Sequence, residues 1–149
     1  MNIHYKKLVS GEFDQLKALL KIYADVFNLD DFTMPDSSYL NQLLDSENIL
    51  FYVAVYDHHI IGGLTAHILP STYNPSSEAY IYDLAVYGQY QRSGIGRQLI
   101  NSLNRYCKSV GIKEVYVQAD SEDLHAIEFY RSTGGKPEQV VHFTYDLSH

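Results

Sequence analysis

The chain has 149 residues, 46% of them hydrophobic and 19% charged, with nine glycines, one cysteine and a formal net charge of −7. That size is enough to bury a core without disulfides or metal, so residues 1–149 are expected to form a single domain. No apolar run is long enough to span a membrane, and the acidic balance argues against a nucleic-acid partner.

In chain order, residues 2–9 predict a strand and residues 11–27 an amphipathic helix, with Phe13, Leu16, Leu19, Leu20, Tyr23 and Phe27 on one stripe. Pro35 ahead of Asp36-Ser37-Ser38 marks the start of a short helix over 38–46. Residues 49–56 and 60–69 flank Asp57-His58-His59 and read as an antiparallel hairpin, with Gly62-Gly63 marking a bulge or a close backbone approach. A Ser, Pro and Asn loop over 70–77 leads into residues 79–86, a nearly continuous apolar and aromatic run that one charge, Asp83, interrupts.

A loop containing Gly88, Gly94 and Gly96 follows, and from there Ile95, Leu99, Ile100 and Leu103 recur at helical spacing as far as Ser109. Gly111 stops that helix, and residues 114–118 read as a strand. A helix over 123–132 ends at Gly134-Gly135, before a last strand over 140–145. Hairpin strands with helices before and after them give an α+β reading, a mixed sheet covered by helices.

Charge is distributed unevenly. Between Ile22 and Gln91 there is no Lys or Arg, while nine acids fall there: Asp25, Asp30, Asp31, Asp36, Asp45, Glu47, Asp57, Glu78 and Asp83. Such a field concentrates a polycation, whereas a merely solubilising surface mixes signs. Cys107 is alone and reads as a packing residue, and the scattered histidines offer no ligand set, so no metal is expected. The N-terminal stretch lacks a basic region followed by an apolar core, and the expected compartment is the cytoplasm.

Glycines at a helix start invite an anion, because first-turn N–H groups are unpaired and the helix dipole is positive there. Arg92 and Arg97 flank the turn and can add charge-assisted hydrogen bonds to a phosphate. An ordinary glycine turn is the plain alternative. A Walker loop needs Lys and Ser or Thr after its last glycine, where Arg97-Gln98 stands, and a dinucleotide fingerprint needs a third glycine after a first strand.

The run Gln91-Arg92-Ser93-Gly94-Ile95-Gly96, after the strand Tyr82-Asp83-Leu84-Ala85-Val86, resembles the acetyl-CoA pyrophosphate loop of the GNAT superfamily of N-acetyltransferases. The distal Phe129-Tyr130-x-x-x-Gly134 fits as well, so the resemblance covers nearly the whole chain. Asp36-Ser37-Ser38-Tyr39-Leu40, residues 78–86 and Tyr116-Val117-Gln118-Ala119-Asp120 are similar to segments of the aminoglycoside 3-N-acetyltransferases, the gentamicin-resistance branch. Thr144 stands where that branch carries an acid in its C-terminal strand.

The resemblance implies a GNAT fold in which the strands at 79–86 and 114–119 splay apart and receive pantetheine. It implies acetyl-CoA as donor, held by Leu84, Ala85, Val86, Gln91, Arg92, Ser93, Gly94, Ile95, Gly96, Arg97, Phe129 and Tyr130. It also implies carbonyl polarisation by a main-chain N–H, that of Val86, and Tyr130 as the acid that protonates the departing thiolate. Asp36, Tyr39, Glu78, Tyr82, Asp83 and Asp120 would meet an aminoglycoside, and a homodimer is implied too.

A substrate ammonium must lose a proton before it attacks, and Asp83, Glu78 and Asp120 are the candidate bases. Asp83 leads, because a charge inside an apolar strand is costly unless it is used or paired with an arginine. Strict alternation puts Glu78 and Asp83 on opposite faces, so they share a site only across a bulge, which the resemblance implies. A polyamine or peptide N-acetyltransferase is the rival enzyme. A coenzyme A-binding regulatory module is the rival of another class, though a pure binder needs neither Tyr130 nor Asp83.

Overall fold

The computed structural model describes residues 1–148. The chain divides into two compact units, Met1–Gln118 and Ala119–His149. The first contains β1 (His4–Lys7), α1 (Phe13–Val26), α2 (Ser37–Asp45), β2 (Ile49–Tyr56), β3 (His59–Pro70), β4 (Ser77–Val86), α3 (Ile95–Ser109) and β5 (Val115–Val117). The second contains α4 (Leu124–Ser132).

The five strands form one sheet in the order β1-β2-β3-β4-β5, antiparallel except for the parallel β4–β5 pair that α3 connects. The sheet is therefore mixed, as the α+β reading expects. The β2–β3 turn is short because Asp57 (φ 50) and His58 (φ 64) both take the left-handed conformation that matches the twist of a tight hairpin.

One face of the sheet packs α1 and α2, and the other packs α3. Leu16, Leu19, Ile22 and Tyr23 of α1 join Leu40 of α2, Phe51, Val53 and Ala85 in one buried cluster. Gly63 lets α1 come this close: a Cβ there would stand 2.6 Å from both Leu19 Cδ1 and the Tyr52 carbonyl. On the opposite face, Ile95, Leu99, Ile100, Leu103 and Cys107 line the buried side of α3, and Tyr106 meets Tyr52 edge-on. Cys107 is a buried packing residue, as its helical spacing predicts.

Side-chain caps mark the starts of α2 and α4. The Asp36 carboxylate accepts from Tyr39 N at 2.8 Å and caps α2. In the C-terminal unit, Asp123 caps α4 by accepting from Ala126 N at 3.1 Å. That helix ends where Gly134 turns left-handed (φ 98), with Gly135 N donating to Tyr130 O at 3.0 Å.

The strand expected over 140–145 is not formed: residues 136–148 carry neither helix nor ladder, and Val140, Val141, Phe143 and Tyr145 are exposed. Alternation in Val141, Phe143, Tyr145 and Leu147 identifies the face a strand would bury, but a strand also needs a paired edge, which alternation does not encode. No helix among the described residues is long and apolar enough to cross a membrane.

Candidate active site

The β3–β4 ladder contains a register shift. Ala66 lies opposite Ile81 and its neighbour Thr65 lies opposite Asp83, so Tyr82 is an extra residue in β4. One residue of bulge reverses the alternation beyond it. Glu78 and Tyr80, on one side of the bulge, therefore share a face with Asp83, on the other side. That is the face packed by α1: Tyr23 of α1 hydrogen-bonds Thr65 Oγ1 at 2.9 Å, and Thr65 shares the face with its partner Asp83.

Asp83 is half-buried beside this pair, and burial pushes its carboxyl up from 3.8 to about 6. No ion pair to Asp83 exists among the described residues, so the structural-arginine reading has no partner here. Tyr23 is raised well above the ordinary tyrosine range, first by its own burial and also by the negative charge of Asp83. A carboxylate with a value near neutrality, on a partly open face, suits a group that takes up and releases a proton.

The next feature is an open strand edge. Ala79, Tyr80 and Ile81 of β4 pair with β5, and residues 82–86 have no strand partner on that side among the described residues. Tyr87 N donates to Ile61 O at 3.0 Å, so by antiparallel alternation the polar main-chain groups of Ala85 point toward β3 and those of Leu84 and Val86 toward the open edge. The Val86 N–H therefore faces the opening. On the same side, Gln91 Nε2 donates to Val86 O at 2.8 Å and ties the loop to the strand end.

The loop then delivers the helix. A 3-10 turn spans Gly88–Tyr90, Ser93 Oγ donates to the Tyr90 carbonyl, and Arg92 (φ 63) and Gly94 (φ 84) reverse the chain into α3. A Cβ at Gly94 would meet nothing within 4 Å, so there is room for a ligand beside this residue at the start of α3, where the helix dipole favours an anion. Arg92, Ser93, Gly94 and Arg97 are exposed, while the Ile95 and Ala85 side chains are buried in core, which leaves those two only main-chain roles. The open edge and this cradle fit a thioester donor carrying a pyrophosphate.

Asp36 spends one carboxylate oxygen on the α2 cap, and Tyr39 is exposed one turn later. Asp120, Phe129 and Tyr130 belong to the C-terminal unit. There Asp120 is exposed, Phe129 packs edge-on against Tyr130 at 5.1 Å, and Tyr130 is raised by burial and then by Asp123. Sequence reasoning missed Thr65, His67 and Tyr80, whose places near Asp83 and Tyr82 depend on cross-strand register, Tyr116, which stacks on Tyr80, and Tyr23, which α1 brings to Thr65.

The acetyltransferase (GNAT) family model matches residues 16–134. The chain belongs to the GNAT acetyltransferase family. Among solved structures, the GNAT fold of this chain is similar to that of the aminoglycoside acetyltransferase meta-AAC0020 from an uncultured soil metagenomic sample, crystallised with sisomicin. Identity is 39%, the TM-score is 0.95, and 98% of this chain and 97% of that one are covered. A second aminoglycoside acetyltransferase from an uncultured soil metagenomic sample, HMB0005, is 33% identical with a TM-score of 0.93, over 99% of this chain and 100% of that one.

Among curated relatives, the uncharacterized N-acetyltransferase YycN of Bacillus subtilis (strain 168) is 28% identical over 62% of this chain and 58% of its own length. The chain spans about three fifths of the length of the curated relatives it matches.

Proposed function

We propose that this chain transfers an acetyl group from acetyl-CoA to an amine of an aminoglycoside, at its 3-amino group, and so confers resistance. The observation that carries the reading is the β4 bulge, which brings a half-buried carboxylate with a raised pKa onto the face it shares with Glu78. Support for the acceptor class comes from meta-AAC0020, named as an aminoglycoside acetyltransferase and crystallised with sisomicin, and from the base-free acidic stretch between Ile22 and Gln91.

Acetyl-CoA supplies an activated acyl group. The glycine loop and α3 N-terminus, with Arg92 and Arg97, hold its phosphates, and the Val86 N–H donates to the carbonyl oxygen as charge develops there. Asp83 Oδ holds the acceptor's ammonium and takes its proton; Glu78 adds a second negative charge on that face. Tyr130 Oη gives its proton to the leaving sulfur. Asp36, Tyr39, Tyr82 and Asp120 contribute to acceptor binding in this reading. It takes residues 1–149 as one domain, working as a cytoplasmic homodimer.

The test is thiol release with acetyl-CoA and gentamicin, spermidine or a lysine peptide, each at low and high salt. Gentamicin is expected to react fastest, with a KM that rises with salt, since screening shortens to about 8 Å near physiological strength. Equal or faster acetylation of spermidine or the peptide would sink the aminoglycoside assignment. Two-dimensional NMR of the gentamicin product reads which amine was modified.

A further inference from the structure

Three strands contribute a row of rings to the face that carries Asp83. His67 of β3 lies opposite Tyr80 of β4, and Tyr80 lies opposite Tyr116 of β5. Cross-strand partners share a face. Tyr80 and Tyr116 stack with centroids 4.8 Å apart and planes 16° from parallel, and the Tyr80 hydroxyl donates to Gln118 Oε1 at 3.3 Å. Tyr82, the bulge residue, meets Tyr80 edge-on at 5.8 Å and His67 at 5.6 Å.

Two ring contacts thus hold Tyr82, yet it is 65% exposed. The same face is covered by α1 and α2 over the cluster that contains Phe51, Val53 and Ala85, but at Tyr82 aromatic surface stands in solvent directly next to Asp83 in the chain. Exposed aromatic surface continuous with a reactive carboxylate fits a ligand with an apolar face and a positive charge.

We infer that Tyr82, held by His67, Tyr80 and Tyr116, is a shelf on which one sugar ring of the acceptor stacks, so that the enzyme selects a cyclic amino sugar over a linear amine. The inference rests on the acceptor reading above. A sugar ring offers a preorganised C–H face to an aromatic ring while its ammonium reaches Asp83. A linear polyamine carries the charge but must freeze many rotors to cover the same area. Tyr82 touches substrate in this account, and His67, Tyr80 and Tyr116 are positioning residues.

The chain contains no tryptophan, so tyrosine emission is unmasked and gentamicin and spermidine binding can be followed directly, with calorimetry as a check. Tyr82→Ala should raise the gentamicin Kd about tenfold or more and the spermidine Kd less than about twofold, with acetyl-CoA affinity unchanged. Tyr82→Phe should stay within about twofold of wild type, because the ring and not the hydroxyl is used. Tyr116→Ala, which loosens the shelf from behind, should give an intermediate loss for gentamicin alone.

An unchanged gentamicin Kd in Tyr82→Ala overturns the shelf, as does equal weakening of both amines or a Phe variant as weak as Ala. A wild-type protein that does not bind gentamicin overturns it too. Gentamicin binding through Tyr82 without thiol release from acetyl-CoA would leave the shelf standing and sink the transferase reading.

Discussion

Thr65 of β3 lies opposite Asp83 of β4, on the far side of a bulge from the Ala66–Ile81 pair. The consequence is a carboxylate turned onto the half-buried face beside the Tyr23–Thr65 hydrogen bond with no cation paired to it among the described residues. Its free energy in the fold is therefore set by lost hydration.

The stability consequence has a definite sign. With a folded pKa of about 6 against an ordinary 3.8, the folded state holds a proton that the unfolded state has already released between those values. Stability falls as pH rises through that window and stays lower above it. Asp83→Asn removes the penalty, so its Tm near pH 8 should equal or exceed that of wild type, with the difference closing toward about pH 4. A clearly lower Tm for the variant near neutrality would mean that Asp83 holds a paired charge.

At the other end of the donor site, the helix start must remain open. Gly96→Trp, in the first turn of α3, places a large side chain where a pyrophosphate approaches. The fold should survive, and the acetyl-CoA Kd by calorimetry should rise at least about tenfold, about 1.4 kcal/mol. Unchanged affinity in a folded variant would remove the phosphate role from this loop.

Tyr130→Phe probes the C-terminal unit. If the hydroxyl gives its proton to the leaving sulfur, kcat should fall about a hundredfold with little change in either KM. Water can substitute in part, so residual turnover is expected. Steady-state kinetics at wild-type kcat would reduce Tyr130 to packing against Phe129.

What the sequence conveyed was mostly local. The α1 stripe, the Asp36 cap, the Asp57-His58 turn and the glycine loop each follow from a few neighbouring residues, and each formed close to its expected place. The shared face of Glu78 and Asp83 is different in kind. It depends on which residue of β3 sits opposite β4, and Tyr82 looks like any other strand residue until the register is known. The same holds for His67, Tyr80 and Tyr116, which are 13 or more positions apart in the chain yet form one row. Residues 140–145 failed the other way, with a strand pattern but no ladder.

The pH profile of kcat/KM for gentamicin, in wild type and in Asp83→Asn, reads the ionisation of Asp83 during turnover. A general base must be ionised to act, so wild-type activity should rise through about pH 6, where burial has moved Asp83. In Asp83→Asn, kcat/KM should be lower by about a hundredfold or more and the rising limb near pH 6 should be gone, with acetyl-CoA affinity near wild type. A variant that keeps that limb, or stays within about twofold of wild-type kcat/KM, would contradict the assignment of Asp83 as the base.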